Sequence, residues 1–153
     1  MFKTLRNLSL IVMAAALTLS ASDALVGTWK LNTAKSKFSP PGPQSVTATY
    51  SRDGDWVVVK TEGVGPDGKA ATTDNRYKRD GKEYPYQAPT GGSGTIIVKS
   101  KGANTTDATV KVGSAMTTSH TVVAKDGKSF TRTTKGTNAE GKPVNSTAVY
   151  EKQ

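Results

Sequence analysis

The chain has 153 residues, with 21 lysines and arginines against 12 acids, a single histidine and no cysteine. Without cysteine there is no disulfide and no thioether-linked lipid, and one histidine cannot build a tetrahedral zinc site. The positive balance would attract acidic polymers or anionic surfaces, but the lysines are scattered rather than gathered into a run, so nucleic-acid binding is not expected.

The first segment, MFKTLRNLSLIVMAAALTLSASDA, places Lys3 and Arg6 ahead of an apolar run from Leu8 to Leu19 and ends in small residues. This is the layout of a secretory signal peptide, residues 1–21, with the cut expected after Ala21 and with Ser22 and Ala24 as alternatives. The run is short for a bilayer span, so cleavage is expected rather than stable membrane insertion. Loss of Lys3 and Arg6 leaves 19 cations against 12 anions, a formal charge of +7. Residues 22–153 suit one domain with one modest core.

From there the chain divides into short β-prone segments rich in Val, Thr, Tyr and Ile. In order they are 25–31, 44–52, 55–63, 70–78, 82–86, 94–101, 107–112, 116–124, 128–136 and 144–152. Between the first two, NTAKSKFSPPGP has room for one helical turn before Pro40, Pro41 and Pro43. The punctuation is repetitive. Asp-Gly-Lys occurs at 67–69, 80–82 and 126–128, with variants at 53–55 and 140–142. Asp-Gly between strand-like runs is a hairpin signal, because glycine takes the positive φ that a tight turn needs.

That repetition decides how GVGPDGKA, residues 63–70, is read. It satisfies both G-x-G-x-x-G and most of a P-loop, but a phosphate loop must open a helix. Here the next residues are AATTDNRYKRDG, polar and threonine-rich, with another turn a dozen residues on. A strand end, a turn and a strand start are expected, with no nucleotide.

Eight to ten antiparallel strands joined by tight turns point to an all-β, up-and-down barrel, since closure removes exposed edges. Alternation puts Leu25, Trp29 and Leu31 on one face, as it does Val46, Ala48 and Tyr50, then Phe130, Arg132 and Thr134, then Ala148 and Tyr150. A small barrel either fills with side chains or holds one small ligand.

Catalytic constellations are missing from the pattern. His120 and Ser119 are adjacent in a strand and point to opposite faces, so they form no dyad. His120 is read as a strand histidine, with a lone axial haem ligand as the alternative. The carboxylates Asp53, Asp55, Asp67, Asp80, Asp126 and Glu140 belong to Gly turns, where solvated carboxylates are expected rather than a general acid/base pair or a calcium loop.

ALVGTWKLN at the start and STAVYEKQ at the end resemble the opening and closing strands of the calycin superfamily, in particular fatty-acid-binding proteins and lipocalins. The chain as a whole, with GTWKLN, AKSKF, repeated DGK turns and a terminal YEK, resembles small exported bacterial lipocalin-like proteins. The resemblance implies that Gly27 and Trp29 form the barrel signature, with the tryptophan plugging one end under a basic side chain, for which Arg132 is the candidate. It also implies a ligand site, with Tyr50, Phe130, Arg132 and Tyr150 as candidates. The last strand departs from the Arg-x-Tyr triplet of fatty-acid-binding proteins: Tyr150 matches the tyrosine, and Ala148 stands where the arginine would be.

The expectation is therefore an exported, periplasmic or secreted, monomeric barrel without cofactor or enzymatic activity, which binds a small apolar or amphipathic molecule. The alternative is a filled-core interaction protein whose basic loops dock an acidic partner or envelope component.

Overall fold

The computed structural model describes residues 23–153, so the signal segment expected at 1–21 lies outside the described residues. Ten strands follow one another: β1 (Gly27–Lys37), β2 (Ser45–Asp53), β3 (Trp56–Val64), β4 (Ala70–Tyr77), β5 (Asp80–Gln87), β6 (Ser93–Ser100), β7 (Thr105–Val112), β8 (Ala115–Val123), β9 (Ser129–Thr137) and β10 (Pro143–Lys152). All pair antiparallel with their chain neighbours except β4 and β5, and β1 pairs with β10, giving an up-and-down, near-closed barrel.

The glycines of the repeated motif behave as the turn reading requires. Gly54, Gly68, Gly127 and Gly141 all take positive φ between strands. Asp67, Asp80 and Asp126 repeat one geometry, with Oδ1 accepting the amide of Lys69, Lys82 or Lys128 at 3.0–3.1 Å. GVGPDGKA is thus a turn, closed by Gly65 N donating to Lys69 O at 2.8 Å, and β4 follows it rather than a helix. One copy is displaced. Gly81 lies inside β5, in the irregularity between Asp80 and Glu83, and Lys78 and Arg79 make the connection instead.

Two further expectations are corrected. Residues 32–37 continue β1 instead of turning helically, because the register against β10 slips between Asn32 and Lys37 and Ser36 fills the break. The Ser36 hydroxyl donates to Asn32 O at 2.7 Å and accepts from Val149 N at 2.9 Å, doing for the slipped segment what a backbone pair would do. Closure is also incomplete, since β4 and β5 share no ladder. Asn75, 7% exposed, spans that seam, its carboxamide accepting from Gln87 N at 2.8 Å and donating to Gln87 O at 3.0 Å. An amide side chain reproduces the two-point pairing of a missing strand neighbour.

Paired residues share a face, so the ladders define the interior. One end is plugged. Trp29, Val57, Val98 and Phe130 are fully buried there, with Leu25, Val123, Tyr77 and Tyr150 beside them. Trp29 meets Phe130 edge-on at 4.9 Å, and Tyr150 stacks on Phe130 at 4.6 Å. Trp29 Nε1 donates to Leu25 O at 2.8 Å, so the polar atom of the buried indole is satisfied by the strand's own approach. Towards the other end, Gly94 and Gly136 lie on the inner face, and a Cβ at either would fall on the carbonyl oxygen of Lys111 or Met116. The close backbone approach there requires glycine.

Candidate functional site

The interior carries an arginine. β9 brings Arg132 to the inner face two residues above Phe130, and the register sets it opposite Ala148 on β10 and opposite Thr121 on β8. The position where the last strand departs from the Arg-x-Tyr pattern is therefore directly across the ladder from an arginine. The small Ala148 side chain leaves room for it.

Its guanidinium is held at two points. Nε donates to Thr121 Oγ1 at 3.0 Å and Nη2 to the Tyr50 hydroxyl at 2.7 Å, with Thr121 and Tyr50 each 4% exposed. Arg132 is half-buried on the inner face. It also lies over the Phe130 ring at 5.4 Å, so the plug supports it from below. Burial works against its charge, but the surrounding oxygens of Tyr50, Tyr150 and Tyr77 outweigh that and push its pKa upward. Arg132 therefore remains a cation, and its hydrogen-bonding partners are hydroxyls rather than carboxylates.

The tyrosines register the same environment. Burial pushes up the hydroxyls of Tyr77, Tyr86 and Tyr150, only partly countered by Arg132. Each is a neutral donor at neutral pH. The site thus offers a fixed guanidinium and a set of phenol groups in a desolvated setting, an arrangement suited to an anionic or strongly polar group.

Four sequence candidates, Tyr50, Phe130, Arg132 and Tyr150, come together here: Arg132 bonds Tyr50 and covers Phe130, on which Tyr150 stacks. Gly27 and Trp29 sit at the plugged end. The basic side chain over Trp29 is Lys152, its Nζ 5.3 Å from the ring, and not Arg132. Lys152 is opposite Trp29 in the β1–β10 register, which brings it over the indole, whereas Arg132 lies beyond Phe130. Thr121 and Tyr86 were not singled out in the sequence. Thr121 was hidden among many strand threonines, and Tyr86 sits in the brief segment of weakest alternation.

Outside the barrel the other candidates resolve as surface groups. His120 is on the outer face, Nδ1 at 2.6 Å from Asp107 Oδ1, facing away from the interior where a bound prosthetic group would lie. Asp53 is paired with Arg76 at 2.7 Å. A recess of about 780 Å³ outside the plugged end is lined by Arg52, Lys78 and Arg79 but also by Asp23, Asp55 and Asp80, so its charges cancel locally.

No family model matches the chain, and no curated protein matches it in sequence. Solved structures do. A zebrafish ileal bile acid-binding protein complexed with cholic acid superposes with a TM-score of 0.59 at 15% identity, over 85% of this chain and 99% of the other. A Schistosoma mansoni fatty acid binding protein in complex with arachidonic acid gives 0.60 at 16%, over 87% and 98%. As-p18, an extracellular fatty acid binding protein, gives 0.56 at 16%, over 86% and 97%. The chain has the calycin fold, and these structural neighbours are binding proteins.

Proposed function

We propose that the protein is an exported, non-enzymatic carrier that reversibly binds a small amphipathic molecule inside the barrel, with Arg132 as the polar anchor. The observation that carries this reading is the interior guanidinium held by Tyr50 and Thr121. A cation taken out of water is costly unless an anion or a hydrogen-bonding set repays it, and two hydroxyls occupy only part of a five-donor fork. A polar ligand group would complete the set while its remaining surface lies against the inner wall. The neighbouring structures that hold cholic and arachidonic acid support the reading, because both ligands join an acid group to an apolar body.

The proposed carrier acts as a monomer, in the periplasm or outside the cell, after removal of residues 1–21. N-terminal sequencing of the mature protein tests export, and retention of Met1 would rule it out. Fluorescence titration with anilinonaphthalene sulfonate tests the site. The expected result is one-to-one binding that Arg132→Leu and Tyr150→Phe weaken at least fivefold, whereas neutralising Lys82 and Lys128 does not. Binding that needs those lysines and falls steeply with salt would favour a surface docking function for the basic loops instead.

A further inference from the structure

Resting on the carrier reading, we infer that the ligand is a compact, hydroxyl-bearing organic anion rather than a long-chain fatty acid. The inference comes from what surrounds Arg132 on the inner wall. Below it, towards the end where β1 begins, no channel remains for an alkyl tail. Trp29, Phe130, Val57 and Val98 are at most 1% exposed, and Tyr150 is stacked on Phe130. A ligand anchored at the guanidinium must therefore extend towards the other end.

The wall it meets in that direction is hydroxylated. One register step beyond the row Ala148–Arg132–Thr121 comes the row Ser146–Thr134–Ser119, three hydroxyl residues paired across β10, β9 and β8. One further step on β8 is Thr117, opposite Gly136. On the far side of the barrel, the inner row that starts at Trp29 runs through Ala48 to Thr61 and Thr73, whose two hydroxyls bond each other. The apolar side chains at comparable positions are Ala108 and Val110 on β7, Val46 on β2 and the larger Ile96 on β6, opposite Val110, with Tyr84 and Tyr86 beyond it on β5.

An alkyl chain along this wall would strip water from the hydroxyls of Ser119, Thr134 and Thr117 without replacing their hydrogen bonds, which opposes binding. A ring or short chain with its own hydroxyls next to the charged group would satisfy them. Sugar acids and hydroxylated aromatic acids share this chemistry.

Calorimetric titration of the full folded chain with glucuronate, para-hydroxybenzoate and dodecanoate tests the inference, with glucose as the uncharged control. The expected result is that glucuronate or para-hydroxybenzoate binds at least tenfold more tightly than dodecanoate and that glucose does not compete. Which of the two acids leads separates a sugar from an aromatic body. Thr134→Val and Ser119→Ala should each weaken the hydroxylated acid at least threefold and leave or improve dodecanoate, and Arg132→Gln should abolish the hydroxylated acid. Thr134→Val keeps the test valid should the arginine variant not fold. Tighter binding of dodecanoate, or loss of glucuronate selectivity without any effect of Thr134→Val, would overturn the hydroxylated class while leaving the carrier reading intact. Absence of interior binding by all three acids and by anilinonaphthalene sulfonate would overturn both.

Discussion

The two halves of the barrel interior are built from the same strands, and on β8, β9 and β10 they differ in chemistry. Around Trp29 and Phe130 the inner face is aromatic, branched and dry, with four side chains at most 1% exposed. Past Arg132, on the same β8, β9 and β10, it turns to Ser119, Thr134 and Ser146. A barrel that needed only to fold could have continued the apolar lining to both ends. The difference indicates that one half supplies the stability and that the other is free to be polar, with Arg132 at the boundary.

Truncating the plug should have the largest effect. Phe130→Ala removes the ring shared by Trp29, Tyr50 and Tyr150 and should cost about 3–5 kcal/mol in urea denaturation, whereas Ser119→Ala should cost less than about 1 kcal/mol. Similar costs for the two would erase the contrast. Next comes the outer side of the plug. Asp23 faces Arg79 at 2.9 Å, with both side chains no more than 15% exposed, and Arg52 stands farther off at 3.6 Å. Asp23→Ala strands the Arg79 charge and should lower stability by about 3 kcal/mol, while the matched Asp53→Ala at an exposed pair should cost under about 1 kcal/mol.

At the boundary the effects become smaller and coupled. Tyr50→Phe removes the acceptor for Arg132 Nη2 and should cost about 1–2 kcal/mol. Adding Arg132→Leu to it should cost much less than the sum of the two single changes, because the same bond is lost only once. The tyrosines give a pH signature as well. Tyr77, Tyr86 and Tyr150 have raised folded pKa values, so their contribution is complete below the ordinary tyrosine value of about 10 and is lost as pH climbs above it. Stability followed by denaturation should therefore decline above about pH 10, by at most about 1.4 kcal/mol per pH unit for each tyrosine, and Tyr86→Phe should flatten the decline. Smallest of all, Lys69→Ala in the GVGPDGKA turn should change stability by less than about 0.5 kcal/mol and create no sensitivity to ATP.

Much of this was legible in the residues because Asp-Gly-Lys turns mark the hairpins and β-branched runs lie between them. Each of the ten strands corresponds to one of the ten sequence segments, and the inner-face alternation of Trp29, Tyr50, Phe130 and Tyr150 holds. What escaped depends on partners far along the chain. The extension of β1 through NTAKSK has no hydrophobic period and exists because Ser36 bridges to Val149. The seam latch joins Asn75 to Gln87, neither of which has a distinguishing local pattern. Arg132 could be placed on the inner face from alternation alone. That it stands opposite Ala148 is a matter of register, which no single segment encodes.

The most direct test of the account follows the Arg132 Nε–H signal by nuclear magnetic resonance as anilinonaphthalene sulfonate is added. The predicted result is a saturable one-to-one shift of that signal, with amide shifts concentrated at Thr121, Arg132, Thr134 and Ala148. A folded protein whose shifts are confined to the exposed turns around Lys82 and Lys128, with the Arg132 signal unmoved, would contradict it.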